Sequence, residues 1–214
     1  MLDVMTQIIL ARHGETEWNV REVFRGRCDI GLNEVGVRQA ELLADHLIDL
    51  KIEAIYSSPL KRALDTARYV AKHHGLSVIV ADGLVDLNYG VWQGLSHQEI
   101  KERYRALYEK WLEKPHLVAI PEGESLDEVR KRALGVVDGV ISKHSGAVVL
   151  VSHRVVAKVL ICSMLGLDTS HFWNIKQDVG GITTFEHEGG RFILIRHNDT
   201  SYLGQIQRHA LIDF

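Results

Sequence analysis

The sequence predicts an α/β fold, a three-layer α/β/α sandwich around a mainly parallel sheet. Three observations carry this. Short apolar runs alternate with segments of helical period along most of the chain. The run GAVVLVSH is apolar without alternation, as a strand buried on both faces requires. A Gly-Gly pair near the C-terminal end joins two segments into an antiparallel hairpin.

Each element has its own signal. Ile8 to Ala11 reads as a short buried strand. From about Asn33 a helix follows, with Val37, Ala40, Leu43, Leu47 and Leu50 at helical spacing. IEAIYSS is the second strand. SPLKRALDTARYVAKHHG is a helix, with Ser58 expected as N-cap, Pro59 at its first position and Gly75 past its end. LSVIVADGL is the third strand. SHQEIKERYRALYEKWLEKP opens with a capping box, Ser96 to Glu99, and stops before Pro115. A second box, Ser125 to Glu128, opens the next helix. GAVVLVSH leads into a helix from Val155 to Leu165 that Gly166 closes. GGITTFEHEGGRFILIRHN is the hairpin at the sheet edge. The segment from Glu113 to Ser125 is the longest irregular piece and a candidate lid. No repeat, low-complexity tract or linker divides residues 1–214, so one domain is expected.

Bulk properties narrow the function. Of 214 residues, 46% are apolar and 25% charged, an ordinary globular composition. The net charge of −3 implies neither nucleic acid nor an anionic membrane as partner. No apolar run approaches the length of a membrane span. Cys28 and Cys162 form no C-x-x-C pair, so no zinc signature or disulfide framework arises, and a cytoplasmic setting is expected. The N-terminal stretch MLDVMTQIIL carries no secretory signal. The histidines are many, but none sits at a metal-ligand spacing, so no metal and no cofactor is expected.

In an open α/β sheet, ligands sit beyond the carboxyl ends of the strands. The first strand delivers Arg12 and His13 there. The second delivers Ser57, Ser58 and, one turn into its helix, Arg62. The fourth delivers Ser152, His153 and Arg154. A single histidine after a strand is more often a packing residue. Two histidines, each beside an arginine, point to an anion site, because guanidinium forks match phosphate oxygens. Helix N-termini add backbone donors. Gly14 is expected to let backbone approach the His13 imidazole.

The motifs R-H-G-E-T-x-W-N, S-S-P-L-x-R-A-x-x-T-A and V-S-H, in this order over residues 7 to 204, resemble the histidine phosphatase superfamily, whose fold is phosphoglycerate mutase-like. The resemblance implies that His13 is the nucleophile that becomes phosphohistidine. It implies that Arg12, Arg62 and His153 clamp the phosphoryl oxygens, and that Thr16 and Asn19 line the pocket. The family also carries a glutamate that protonates the leaving oxygen and then activates water. Here VDLNYGVWQG puts Asp86 at that position, shorter by one C–C bond, about 1.5 Å. Arg154 stands where many members have glycine, and is either a substrate contact or a solvent-facing side chain. Arg25 and Arg27 can greet a carboxylate or second phosphate, or remain solvated.

Within the family, WLEKPHLVAIPEGESLDEV and HNDTSYLG resemble the small phosphatases, most of all the metal-independent phosphoserine phosphatases of bacteria. In that branch a histidine often stands where Tyr202 does. The expected activity is hydrolysis of a small phosphorylated metabolite by a monomer or homodimer, with a phosphoserine-type substrate as one candidate. Two alternatives stay open: phosphoglycerate mutase-type transfer, and a non-catalytic phospholigand-binding protein motivated by Asp86 and Arg154. A metallohydrolase is a weaker fourth reading.

Overall fold

The computed structural model describes residues 5–206. Its elements, in order, are β1 (Thr6–Arg12), α1 (Glu17–Val20), α2 (Glu34–His46), β2 (Ile52–Ser57), α3 (Lys61–His74) and β3 (Val78–Val80), then α4 (His97–Arg103), α5 (Arg105–Glu113), α6 (Leu126–Lys143), β4 (Ala147–Ser152), α7 (Arg154–Met164), β5 (Ile182–Glu188) and β6 (Arg191–Asp199). Six strands form one sheet in the order β3-β2-β4-β1-β5-β6. The pairs among β3, β2, β4 and β1 are parallel, and β5 and β6 add an antiparallel edge.

Strand alternation builds the layers. Ile8 and Leu10 of β1, with Val148 and Leu150 of β4, face a cluster that contains residues of α6 and α7 and the rings of Trp92, Trp111 and Phe172. Ile9, Ala11, Val149 and Val151 face the other way, onto Leu43 and Leu47 of the α2 segment and Ala63, Ala67 and Val70 of α3. Helices on both faces explain why the central strands read as unbroken apolar runs. The hairpin closes through Gly189 and Gly190, both at positive φ, the conformation a two-residue β-turn of this hand needs.

Several boundaries differ from the sequence reading, each for a local reason. Ser58 does not cap α3. The proline after it disfavours helical backbone at Ser58, the helix starts at Lys61, and the cap comes from across the chain, with Lys61 N–H donating to Asp29 Oδ1 at 2.7 Å. The third strand keeps only Val78–Val80, because the chain turns at Asp82–Leu84 toward the site. The helix expected from His97 to Lys114 breaks at Tyr104, and the re-aimed α5 delivers Tyr108 and Trp111 into the aromatic cluster. The Glu113–Ser125 segment is anchored: Pro115, Val118 and Ile120 are buried. Val91 N–H donates to Pro121 O and Glu124 N–H to Asn88 O. These bonds tie the segment to the loop around Asn88 and Val91. Gly90, at φ 48°, lies so close to the segment that a Cβ would sit 1.9 Å from the Pro121 oxygen.

Candidate active site

The sheet register sets the site. Arg12 and Ser152 are partners in the β1–β4 ladder. The next residues, His13 and His153, therefore leave adjacent parallel strands side by side, their ring centroids 5.1 Å apart. Ser57 pairs with Val151 on the other side of β4, which puts Ser58 beside His153. Ser152 Oγ donates to Leu84 O at 2.7 Å and draws the Asp82–Asp86 turn over the strand ends.

His13 is buried, with Nδ1 2.6 Å from its neighbour's carbonyl, Gly14 O. A carbonyl only accepts, so Nδ1 carries the hydrogen and Nε2 keeps its lone pair. Burial holds the imidazole well below its usual pKa, and the charges of Arg62, Arg12 and Arg25 push it further the same way. A neutral ring with an exposed lone pair is the form a nucleophile needs. Backbone does approach the imidazole at Gly14, through the Gly14 carbonyl itself, and Gly36 at the start of α2 comes close as well, so that a Cβ on Gly14 would lie 2.4 Å from the Gly36 oxygen.

Arg12 is fully buried and donates through Nη1 to Gln177 O at 2.6 Å. Arg62 donates to Gly26 O at 2.8 Å, to Cys28 O at 2.9 Å and to Asp86 Oδ2 at 3.1 Å. Its buried Nε has no hydrogen-bond partner among the described residues. His153, at the N-cap of α7, lies 2.7 Å through Nε2 from Ser58 Oγ, and its Nδ1 is 3.8 Å from Asp86 Oδ2. Burial, then Arg62 and His13, hold its pKa well down as well. Four groups that favour an anion thus surround one spot: two arginines, the His153 ring and the N-terminus of an eleven-residue helix.

Asp86 is buried at the same spot, with Leu87 N–H donating to Oδ1 at 2.9 Å. Of the other carboxylates near the site, Glu22 lies on the cleft, and Glu15 and Glu124 are otherwise engaged. Glu15 accepts from Asn33 Nδ2 at 2.8 Å. Glu124 accepts from Arg27, Arg132 and the Asn88 N–H. Of Asp86, Glu15 and Glu124, Asp86 alone has an oxygen near both the His153 ring and Arg62.

A polar cleft opens from this spot, lined by Asn19, Glu22, Arg25, Asp86, Tyr89, His97 and Arg154 among others. Thr16 does not line it. Its hydroxyl and N–H both donate to Asn19 Oδ1, at 2.8 and 3.0 Å. That leaves the buried Asn19 Nδ2 without a partner among the described residues. Arg154 faces the cleft rather than solvent, beside the Tyr89 hydroxyl, whose pKa is raised to about 12 chiefly by burial. Arg25 lies on the cleft, and Arg27 is tied to Glu124 at 2.9 Å. Tyr202 is away from the cleft: it stacks on His46 and donates to Gly180 O. Gln177, Arg132 and Tyr89 had no assigned role in the sequence reading, and Ser58 was read there as a helix cap at a strand end.

Residues 8–200 match the model of the histidine phosphatase superfamily, branch 1. Phosphoserine phosphatase 1 of Hydrogenobacter thermophilus is 36% identical over 211 residues, which is 97% of this chain and all of that protein. Among solved structures, YhfR of Bacillus stearothermophilus superposes with a TM-score of 0.89 at 32% identity, covering 92% of this chain and 99% of that one. A variant phosphoserine phosphatase from Entamoeba histolytica, in complex with phosphoserine, superposes with a TM-score of 0.83 at 30% identity, again over 92% and 99%. The motif order, the sheet register and these likenesses agree: the chain belongs to the histidine phosphatase superfamily, branch 1, and is a phosphatase of that family.

Proposed function

We propose that the protein hydrolyses a small phosphate monoester bearing a carboxylate, through a phosphohistidine on His13, with phosphoserine as the leading candidate. The observation that carries the reading is His13 itself. Its Nδ1–H is committed to Gly14 O, which leaves the lone pair on Nε2, in a ring that stands beside His153 and feels the charges of Arg62 and Arg12.

The chemistry balances in two steps. The Nε2 lone pair attacks phosphorus and the P–O bond to the alcohol breaks. Asp86, in its acid form, gives its proton to the departing oxygen. Water then attacks phosphorus, the P–N bond breaks, and its proton goes to the Asp86 carboxylate. Inorganic phosphate leaves and His13 returns neutral. Arg12, Arg62 and the His153 ring hold the charge on the equatorial oxygens throughout.

Arg25, Arg154 and Asn19 stand on the alcohol side of the cleft, where they suit an anionic substituent such as a carboxylate. The relatives named phosphoserine phosphatase support the same substrate class. The two free cysteines suit a reducing, cytoplasmic setting.

Rapid mixing with labelled phosphoserine and quenching in alkali tests the mechanism, because the P–N bond is labile in acid. The expected label is on His13 and vanishes in His13→Ala. A label on Ser58 or Ser152 would overturn the mechanism. Conversion of 3-phosphoglycerate to its isomer, in place of free phosphate, would favour transfer over hydrolysis.

A further inference from the structure

Asp86 is held in place from behind by a guanidinium that touches no reacting group. Arg132, on α6, reaches across to the turn that carries Asp86. Its Nη1 donates to Gly83 O at 2.9 Å and Val85 O at 2.5 Å, and its Nη2 donates to Asp86 O at 3.1 Å. The same guanidinium binds Glu124 through Nε and Nη2, both at 3.1 Å.

Glu124 carries the restraint further. Its Oε2 accepts from Asn88 N–H at 2.9 Å, on the far side of Asp86, and its Oε1 accepts from Arg27 at 2.9 Å. Arg27 belongs to the loop whose Gly26 and Cys28 carbonyls hold Arg62. The chain is thus pinned on both sides of Asp86, at residues 83, 85 and 86 and at 88, by one ion pair.

We infer that Arg132 and Glu124 are a positioning pair that fixes where the Asp86 carboxyl stands over the leaving oxygen. The inference rests on Asp86 being the acid. The physical need is specific to this chain. An aspartate is one methylene shorter than the family's glutamate, so its reach depends on where the backbone is held. Three carbonyls pulled onto one guanidinium set that backbone. The Asp86 side chain is bonded to Arg62 and Leu87 N–H, and Ser152 Oγ holds the neighbouring Leu84 carbonyl.

The test compares Arg132→Lys and Glu124→Gln with Asp86→Asn, on phosphoserine and on p-nitrophenyl phosphate. A misplaced acid hurts an alkoxide leaving group far more than a nitrophenolate, which needs no proton. The expected kcat loss on phosphoserine is about 10- to 100-fold for each positioning variant, the scale of a misplacement near 1 Å. The loss on p-nitrophenyl phosphate is expected to be much smaller, and adding Arg132→Lys to Asp86→Asn should cost nothing further. A merely structural role predicts the opposite: equal losses on both substrates, and additive losses in the double variant. Either result overturns the inference. Equal losses for Asp86→Asn alone would overturn the acid assignment and the inference together. Thermal melting checks that each variant is folded. Should Arg132→Lys not fold, Glu124→Gln, which keeps the side chain's size and one acceptor, decides the question with the same two substrates.

Discussion

Ser58 Oγ and His153 Nε2 are 2.7 Å apart, and the direction of that hydrogen bond decides what His153 can do. Ser58 Oγ already accepts the Leu60 N–H at 3.3 Å. A hydroxyl oxygen has a second lone pair, so this bond can run either way, and the tautomer it selects decides whether Nδ1, 3.8 Å from Asp86 Oδ2, carries the hydrogen.

Ser58→Ala should remove that tautomer preference without changing volume much. Loss of a buried hydrogen-bond partner costs about 1–3 kcal/mol, so kcat/KM should fall by about tenfold or more. Phosphoserine and p-nitrophenyl phosphate should suffer alike, because in the proposed mechanism His153 holds the phosphoryl group and not the leaving group. Unequal losses in steady-state kinetics would place Ser58 on the alcohol side instead.

Both site histidines are held below the ordinary value near 6.5, first by burial. Above that pH neither the folded nor the unfolded chain protonates them, and they contribute nothing to the pH dependence of stability. Below it the unfolded chain takes up protons that the folded chain refuses, so stability falls with acidification. Each such histidine adds a slope of about 1.4 kcal/mol per pH unit. In melting curves from neutral pH downward, His13→Gln should show a shallower fall than the parent chain, by close to one proton. Parallel curves would mean that His13 titrates normally.

Arg154→Ala should raise KM for phosphoserine by about 10- to 100-fold, the worth of a hydrogen bond to a charged group. Turnover of p-nitrophenyl phosphate, which has no carboxylate, should change much less. An equal rise in KM for both would show Arg154 acting on the phosphoryl group.

Chelation should leave the rate intact. Among the described residues no three His, Cys, Asp or Glu side chains gather as a metal site, and the guanidinium groups of Arg12 and Arg62 can do the charge neutralisation a metal would do. Activity lost in EDTA and restored by zinc or magnesium would contradict this.

Much of the site was legible because it hangs on strand ends. Apolar runs announce β1 and β4, and whatever follows such a run lies at the carboxyl edge of the sheet, so the placing of His13 and His153 side by side could be read from the sequence. Asp86 was legible only through the family's motif: nothing in VDLNYG marks a strand end, since the chain reaches the site through a turn tied to Ser152. Arg132 and Glu124 left no trace, because an arginine mid-helix and a glutamate before a capping serine both read as solvated charge. Their partners are mostly backbone carbonyls and N–H groups, and a backbone atom has no letter in a sequence. Ser58 was misread as a cap for the opposite reason: its letter fits a local role so well that the distant partner His153 could not be inferred from it.

The pairing of Arg12 with Ser152 reaches beyond this one reaction. Neighbouring strands repeat at about 4.8 Å, and the two imidazoles stand 5.1 Å apart. The two histidines, nucleophile and clamp in the proposed mechanism, are therefore spaced by the sheet's own lattice, while the cleft beside them is lined by residues between 19 and 25, 86 and 97, and at 154 and 155, on loops and helix starts. The two histidines and the choice of alcohol thus rest on different elements, with Asp86, paired to Arg62, linking them. Residues of the second group, Arg25 and Arg154 foremost, can be exchanged to redirect the enzyme toward another phosphate ester while the phosphoryl site keeps its dimensions.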